Sequence, residues 1–372
     1  MTFNKIMPVT LNEFTRWIEE QIPPVYQESY DNSGLQVGDP DMIIDSVLLT
    51  LDITEEVVSE AIKGKHNLIV SHHPLIFKPL KRLAYGTTSE RCVAGAVKHG
   101  IAVYSAHTSF DSMSWGVSHI MAEKIGLRNI RVLVPTREKL SKIVTYVPVS
   151  HAQAVREALF SAGAGHLGNY DSCSFSCDGE GTFRGGEGSE PYVGQKGKMH
   201  TEKETRIESV VPEHLVREAV MSLLKVHPYE EVVYDIIPLK NEYHGAGAGA
   251  IGTLAAPLKG EELLRLLKEV FGTPAVRYSG NPAAQITTVA VCGGAGAQYI
   301  ADAARAGAEA YVTGDVKYHN FLEASPNLMV ADIGHYESEK YSLEILYNLI
   351  VKKFPKFALR FSGIKTNPIN YF

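Results

Sequence analysis

The feature that most limits the folds open to this chain is a strand–helix pattern written twice, each copy ending on a histidine followed four residues later by an acid. In the first copy, Val47-Leu48-Leu49-Thr50-Leu51 leads through a helical stretch to Asn67-Leu68-Ile69-Val70 and then Ser71-His72-His73-Pro74. A further apolar run, Ile101-Ala102-Val103-Tyr104, ends at His107 and Asp111. In the second copy, Val289-Ala290-Val291-Cys292 leads to Ala310-Tyr311-Val312 and Thr313-Gly314-Asp315, and Leu328-Met329-Val330-Ala331 ends at His335 and Glu339. Short apolar runs alternating with helical periodicity predict βαβ units and a largely parallel sheet. Two related halves that end their strands in metal-ligand chemistry suggest a metal centre where the halves meet.

Other segments fill in the α/β reading. Leu11, Phe14, Ile18 and Ile22 predict an amphipathic helix over 11–22. Asp31-Asn32-Ser33-Gly34 reads as a turn, Thr54 as the N-cap of a helix through about Ile62, and 88–98 as another helix. Near Pro135 the period changes. Lys142–Val149 alternates as a strand, 151–162 reads as a helix, and a Gly-rich stretch runs from Gly163 to Gly197. A strand at Arg206–Val211, a helix and a strand at Val232–Pro238 follow, and Val-Arg-Glu-Ala occurs at both 155–158 and 216–219. Strand–helix–strand written twice is the ferredoxin-like α+β pattern. The Gly-Ala repeat at 245–250 reads as a flexible return. The expected organisation is an inserted domain at 137–244 inside a discontinuous outer domain, 1–136 with 245–372.

Composition removes several classes. With 372 residues, 45% hydrophobic and 21% charged, the chain can build two cores. A net charge of -6 and a pI near 6.2 give no basic footprint, and Lys78, Lys81 and Arg82 form the single local cluster, which disfavours nucleic acid. Cys92, Cys173, Cys177 and Cys292 form neither a disulfide framework nor paired zinc-finger spacing. No apolar run approaches the roughly 20 residues a membrane span needs, and the N-terminus does not read as a signal peptide. A reducing cytoplasm is the expected compartment.

The chemistry gathers at the strand ends. Adjacent side chains in extended backbone point to opposite sides, so His72 and His73 could each serve one of two neighbouring ions. His335 and Glu339 share a helix face if that segment is helical, and Asp111 supplies another anionic oxygen. Mixed imidazole and carboxylate ligands suit zinc, manganese or iron. Taken singly, each feature has an ordinary reading. His72-His73 before Pro74 would be a capped turn, His335 with Glu339 a surface pair, Asp111 a cap for a helix beginning near Trp115, and His107 a supporting donor. Their joint placement at corresponding strand ends favours the metal. Asp52, Asp315 and His319 are candidate proton carriers and Lys81 could meet an anionic substrate, although a cap or surface salt bridge is the stronger reading of any one of them. Cys292-Gly293-Gly294-Ala295-Gly296 could be a phosphate-binding turn, but its spacing is loose and a structural turn is the stronger reading.

At these residues the sequence resembles a known family. Ser71-His72-His73-Pro74-Leu75, His107-Thr108-Ser109-Phe110-Asp111 and Gly334-His335-Tyr336-Glu337-Ser338-Glu339 are similar to signatures of the NGG-interacting-factor-three-like proteins, also called GTP cyclohydrolase 1 type 2 homologues. Asp31–Gly38, Leu51–Thr54 and Thr313–Asp315 add to the likeness. Gly163–Tyr170 and His227–Glu231 resemble the long bacterial subtype, whose inserted domain is PII/CutA-like. The resemblance implies two divalent metal ions held by His72, His73, Asp111, His335 and Glu339, with Glu339 bridging. It also implies a homohexamer built as a trimer of dimers, with the metal sites facing an internal cavity. Tyr30 stands where the family commonly has Trp, and Ser112-Met113-Ser114-Trp115 replaces a smaller stretch; both bear on substrate shape and leave the ligands intact. Two functions follow as expectations. One is metal-dependent hydrolysis of a small, nucleotide-like substrate. The other is a non-enzymatic role as a ligand-sensing or adaptor assembly. The cysteines match no zinc site of the standard cyclohydrolase, so nothing in the residues demands GTP ring opening.

Overall fold

The computed structural model describes residues 8–372, so the N-terminal residues read for a leader lie outside it. The chain divides into two compact units, one made of residues up to Pro135 with His244–Phe372, the other of Thr136–Tyr243.

The first unit opens with β1 (Val9–Thr10), α1 (Leu11–Gln21), β2 (Gly34–Val37) and β3 (Ile43–Ile44), β1 and β3 forming a two-stranded ribbon. Thr10 caps α1 in a capping box with Glu13, and the helix buries Leu11, Phe14, Trp17 and Ile18. Next come β4 (Ser46–Thr50), α2 (Glu55–Gly64), β5 (Leu68–Ser71), α3 (Thr88–Lys98), β6 (Ala102–Ser105), α4 (His107–Asp111) and α5 (Val117–Ile125), followed by β7 (Arg128–Arg137). Every residue of β4, β5 and β6 is buried, because the three strands are parallel and covered on both faces.

The second unit runs β8 (Leu140–Pro148), α6 (Ala152–Ser161), β9 (Phe175–Phe183), β10 (His200–Pro212), α7 (Val216–Val226) and β11 (Tyr234–Leu239). Its sheet has the order β11-β8-β10-β9 and is antiparallel throughout. Ile143, Val147, Ile207 and Val211 alternate onto one face and form a core with Val155 and Leu159 of α6 and Ala219 and Leu223 of α7. Strand β9 lies inside the Gly-rich stretch, where Asp178, Gly179, Glu180 and Gly181 conceal a strand with little buried surface.

The chain then forms β12 (Glu242–Lys259), α8 (Gly260–Phe271), β13 (Arg277–Ser279), β14 (Gln285–Val291), α9 (Ile300–Arg305), β15 (Ala310–Thr313), α10 (Tyr318–Glu323), β16 (Met329–Asp332), α11 (His335–Glu339), α12 (Ser342–Lys353) and β17 (Ala358–Phe361). Strands β14, β15 and β16 are parallel, as β4, β5 and β6 are, and each trio runs into a one-turn helix. The complete sheets are β17-β4-β5-β6-β2 and β13-β16-β15-β14-β12-β7. They are mixed, since β2, β12 and β13 pair antiparallel at their margins.

The Gly-Ala repeat is not a flexible return. Residues 245–250 lie within β12, and Ala250 pairs with Val291 of β14. Gly247 and Gly249 have φ of +155° and +66°, and a Cβ on Gly247 would stand 2.2 Å from the Val134 carbonyl oxygen. The glycines therefore permit close approach between backbones. No helix among the described residues is long and apolar enough to cross a membrane.

Candidate metal centre

His72 and His73 follow β5 and prolong its ladder, the His72 N–H donating to Thr50 O (3.1 Å) and the His73 N–H to Leu51 O (2.9 Å). These bonds hold the two side chains at the carboxyl ends of the strands, where open α/β sheets gather their ligands. Helices α4 and α11 begin on His107 and His335 and end on Asp111 and Glu339, so each acid stands one turn beyond its ring. Asp111 thus ends α4; α5 is entered from Gly116 without a side-chain cap. Missing side chains make room for α11. A Cβ on Gly314 would lie 2.8 Å from His335 N, and one on Gly294 would lie 2.4 Å from Glu339 Oε1.

Glu339 occupies the centre and is 3% exposed. Its Oε1 lies 3.6 Å from His72 Nε2, while Oε2 lies 3.0 Å from His73 Nε2 and 3.2 Å from His335 Nε2. Asp111 Oδ1 approaches His72 Nε2 at 3.5 Å. One carboxylate oxygen therefore faces His72 and the other faces the His73–His335 pair. The polar atoms here are poorly satisfied: both His72 nitrogens, Asp111 Oδ1 and Glu339 Oε2 are buried without a well-formed hydrogen bond. A buried polar atom left unpaired costs roughly 1–3 kcal/mol. His73 Nε2 and His335 Nε2 point at each other across 3.2 Å. Three imidazoles and two carboxylates converging on one another's lone pairs fit divalent cations, and donor atoms of His72, His73 and Glu339 lie within 4.8 Å of one another.

An outer ring of acids orients the imidazoles. Asp52 Oδ1 is 2.8 Å from His73 Nδ1, Asp315 Oδ2 is 2.8 Å from His335 Nδ1, and Asp31 Oδ1 is 2.5 Å from His107 Nδ1. A carboxylate on Nδ1 leaves Nε2 free as a lone-pair donor. Asp52 is itself held by the Thr366 hydroxyl at 2.6 Å, and Asp31 by Ser33 and Thr108. Burial opposes charge on His73, yet Asp52 and Glu339 raise its pKa to about 10; burial likewise opposes charge on His335, which Glu339 and Asp315 raise to about 9. Burial pushes Asp111 up to about 7 against the pull of His72. Burial alone would raise Glu339 too, but the surrounding histidines hold it well below the usual carboxylate range.

A cavity of about 470 Å³ opens over the centre, and His73, His107, Asp111, His335 and Glu339 all line it. His319 and Lys81 are exposed and are not among its lining residues; His319 sits on α10 with its ring against Tyr318. The role of Asp31 is hidden in the sequence, because Asp-Asn-Ser-Gly looks like an ordinary turn and its partner ring is 76 residues away. Phe77, which also lines the cavity, carries no sequence signal of that role; Tyr30 lines it too, at the position where the departure from the family's Trp bears on substrate shape.

Comparisons with known proteins give consistent relatives. The sequence profile of the family Duf34/NIF3 (NGG1p interacting factor 3) matches residues 9–368. A protein of Halalkalibacterium halodurans named "GTP cyclohydrolase 1 type 2 homolog" is 42% identical over 324 residues, 87% of this chain and 86% of that one. The Bacillus subtilis protein of the same name is 39% identical over 86% of each. Among solved structures, a Bacillus cereus protein related to NIF3 superposes with a TM-score of 0.86 at 36% identity, covering 98% of this chain and all of that one. A Staphylococcus aureus protein superposes at 0.77 with 29% identity, covering 98% and 99%.

Proposed function

The chain belongs to the Duf34/NIF3 family, and from that premise we propose that it binds two divalent cations and hydrolyses a small molecule beside them. The ligands are His72, His73, Asp111, His335 and Glu339, and the metal is zinc, manganese or iron. The observation that carries this reading is Glu339, which turns one oxygen toward His72 and the other toward His73 and His335. Bound cations would lower the pKa of water and polarise a carbonyl, imine or phosphoryl oxygen. The protein's own part is orientation. Asp52 and Asp315 fix the Nδ1–H tautomers of His73 and His335, and His107, held by Asp31, is a ring in the cavity wall able to carry a proton. The cyclohydrolase name of the relatives would add GTP ring opening, whereas the donor set asks only for a hydrolysable bond.

The test is metal content with turnover. Purified protein should carry about two ions per chain, and His73→Ala and Glu339→Ala should each lose metal together with turnover of nucleotide or cyclic-amide substrates. Fewer than one ion per chain after gentle purification rules the centre out. For the assembly, the reading is a cytoplasmic homohexamer, a trimer of dimers, which sedimentation would resolve from a dimer. The β-α-β-β-α-β order of the second unit supports a PII/CutA-like insertion. A second reading, in which that unit senses a small ligand, is favoured by its own cavity of about 720 Å³ among Tyr146, Phe183, Tyr192 and Tyr229. Saturable ligand binding without turnover on any substrate class would favour this sensor.

A further inference from the structure

The glycine turn after β14 looks like a phosphate cradle until its amides are followed. A cradle works by aiming free backbone N–H groups at oxygen anions. Here Gly293 N–H donates to Ser118 Oγ at 3.3 Å, Gly294 N–H to Ser338 Oγ at 2.9 Å, and Gly296 N–H to Thr313 Oγ1 at 2.9 Å. The turn is bonded into its own unit. It forms one wall of the cavity without donors to spare at these three positions.

The other walls repeat the message. Among the described residues that line the cavity there is no lysine or arginine, and Glu28 joins Asp111 and Glu339 as a third carboxylate. A triphosphate carries several anionic oxygens, and proteins meet them with Arg forks, Lys or helix N-termini. Two cations could engage one phosphate; the remaining groups would face carboxylates and a turn with three of its amides already bonded. Aromatic surface is what the cavity offers instead. The Tyr30 and Phe77 rings pack edge to face at 6.4 Å, and Phe77 meets the His107 ring at 6.0 Å. Tyr30 is 62% and Phe77 44% exposed in the chain, so both have free faces beside the metal ligands. A volume of about 470 Å³ lies within the range for small-molecule pockets, roughly 300–1,000 Å³.

We propose that the substrate is an uncharged, flat nitrogen heterocycle of nucleoside size or smaller, seated against Tyr30 and Phe77, and that nucleoside triphosphates are not substrates. This rests on the metal-dependent hydrolase reading and narrows it. The reaction is hydrolysis of a ring amide or imine. Water adds its oxygen to the ring carbon, the C–N bond breaks, and the ring nitrogen leaves with the electron pair and takes up the proton. No oxidant or reductant is needed. Stacking on an aromatic wall strengthens the binding of one base by about tenfold or more.

Guanosine and GTP provide the test, since they share a ring and differ in charge. Calorimetry on zinc-loaded protein, with GTP supplied as its magnesium complex, should show guanosine binding at least tenfold more tightly than GTP. Phe77→Ala and Tyr30→Ala should each weaken guanosine at least tenfold while metal content stays at the wild-type value. GTP binding as tightly as guanosine overturns the proposal. So do aromatic variants that bind guanosine like wild type, or failure of guanosine, adenosine and uracil alike to bind at millimolar concentration. If the metal centre itself is wrong, metal content shows it directly, and the loss of guanosine binding in the aromatic variants is still measurable on metal-free protein.

Discussion

Asp52 and Asp315 make the same bond to two different rings, His73 and His335, both of them proposed metal ligands. Replacing either carboxylate with an amide exchanges an acceptor-only, charged partner for one that can also donate to Nδ1, so the proton is no longer held there and Nε2 no longer reliably presents its lone pair. Asp52→Asn and Asp315→Asn should each weaken metal binding about 10- to 100-fold in chelator competition while leaving the fold intact. Unchanged affinity would mean that packing alone holds the rings. Protons compete at the same atoms. With pKa values raised to about 10 and 9, His73 and His335 hold protons at neutral pH in the metal-free protein, and a cation must displace them. Metal affinity should therefore climb as pH rises from 7 to 9, by about tenfold per pH unit for each proton displaced. A flat profile in competition at pH 7, 8 and 9 would disprove the assignment of these two rings. The donors themselves are legible in the sequence because a His and an acid four apart signal their chemistry locally. Asp52 and Asp315 stand out there only as acids suited to carrying protons, since which nitrogen they face is a tertiary fact.

Elements built on spacing are easier to read than elements built on absence. The buried strands β4, β5, β14 and β15 announce themselves as apolar runs, and Thr54 marks the start of α2. In β12 the informative residues are glycines, which look flexible in a sequence and are confining in the fold. Gly247→Ala would drive a methyl group against the Val134 carbonyl at a φ that side chains avoid, and should cost about 2–4 kcal/mol in denaturant unfolding. Gly168, also at positive φ but with nothing within 4 Å of the place a methyl would take, is the control. Gly168→Ala should cost only about 1 kcal/mol. Equal losses would show that backbone conformation and not crowding sets the penalty in β12.

At the scale of the whole chain, the two units have separate cores, and only one of them contains the proposed metal ligands. Heating should give two transitions. A divalent cation at about 100 times its Kd should add about 2.7 kcal/mol to the unit holding His72 and Glu339, raising its Tm and leaving that of Thr136–Tyr243 unchanged. A chelator should reverse the gain; a shift in both transitions would mean that the units unfold together. The central carboxylate also sets a timetable. His73 and His335 are 262 residues apart in the chain, with the whole inserted unit between them. At roughly 5–20 residues per second, the ribosome adds that stretch in about 13–50 s. Through that interval the first two imidazoles exist without the acid that joins them to the rest, so the growing chain offers metals only a fragment of the cage. With the proposed ligand set, a complete site exists only once synthesis has passed Glu339, so a metal would enter a finished container instead of a half-built one.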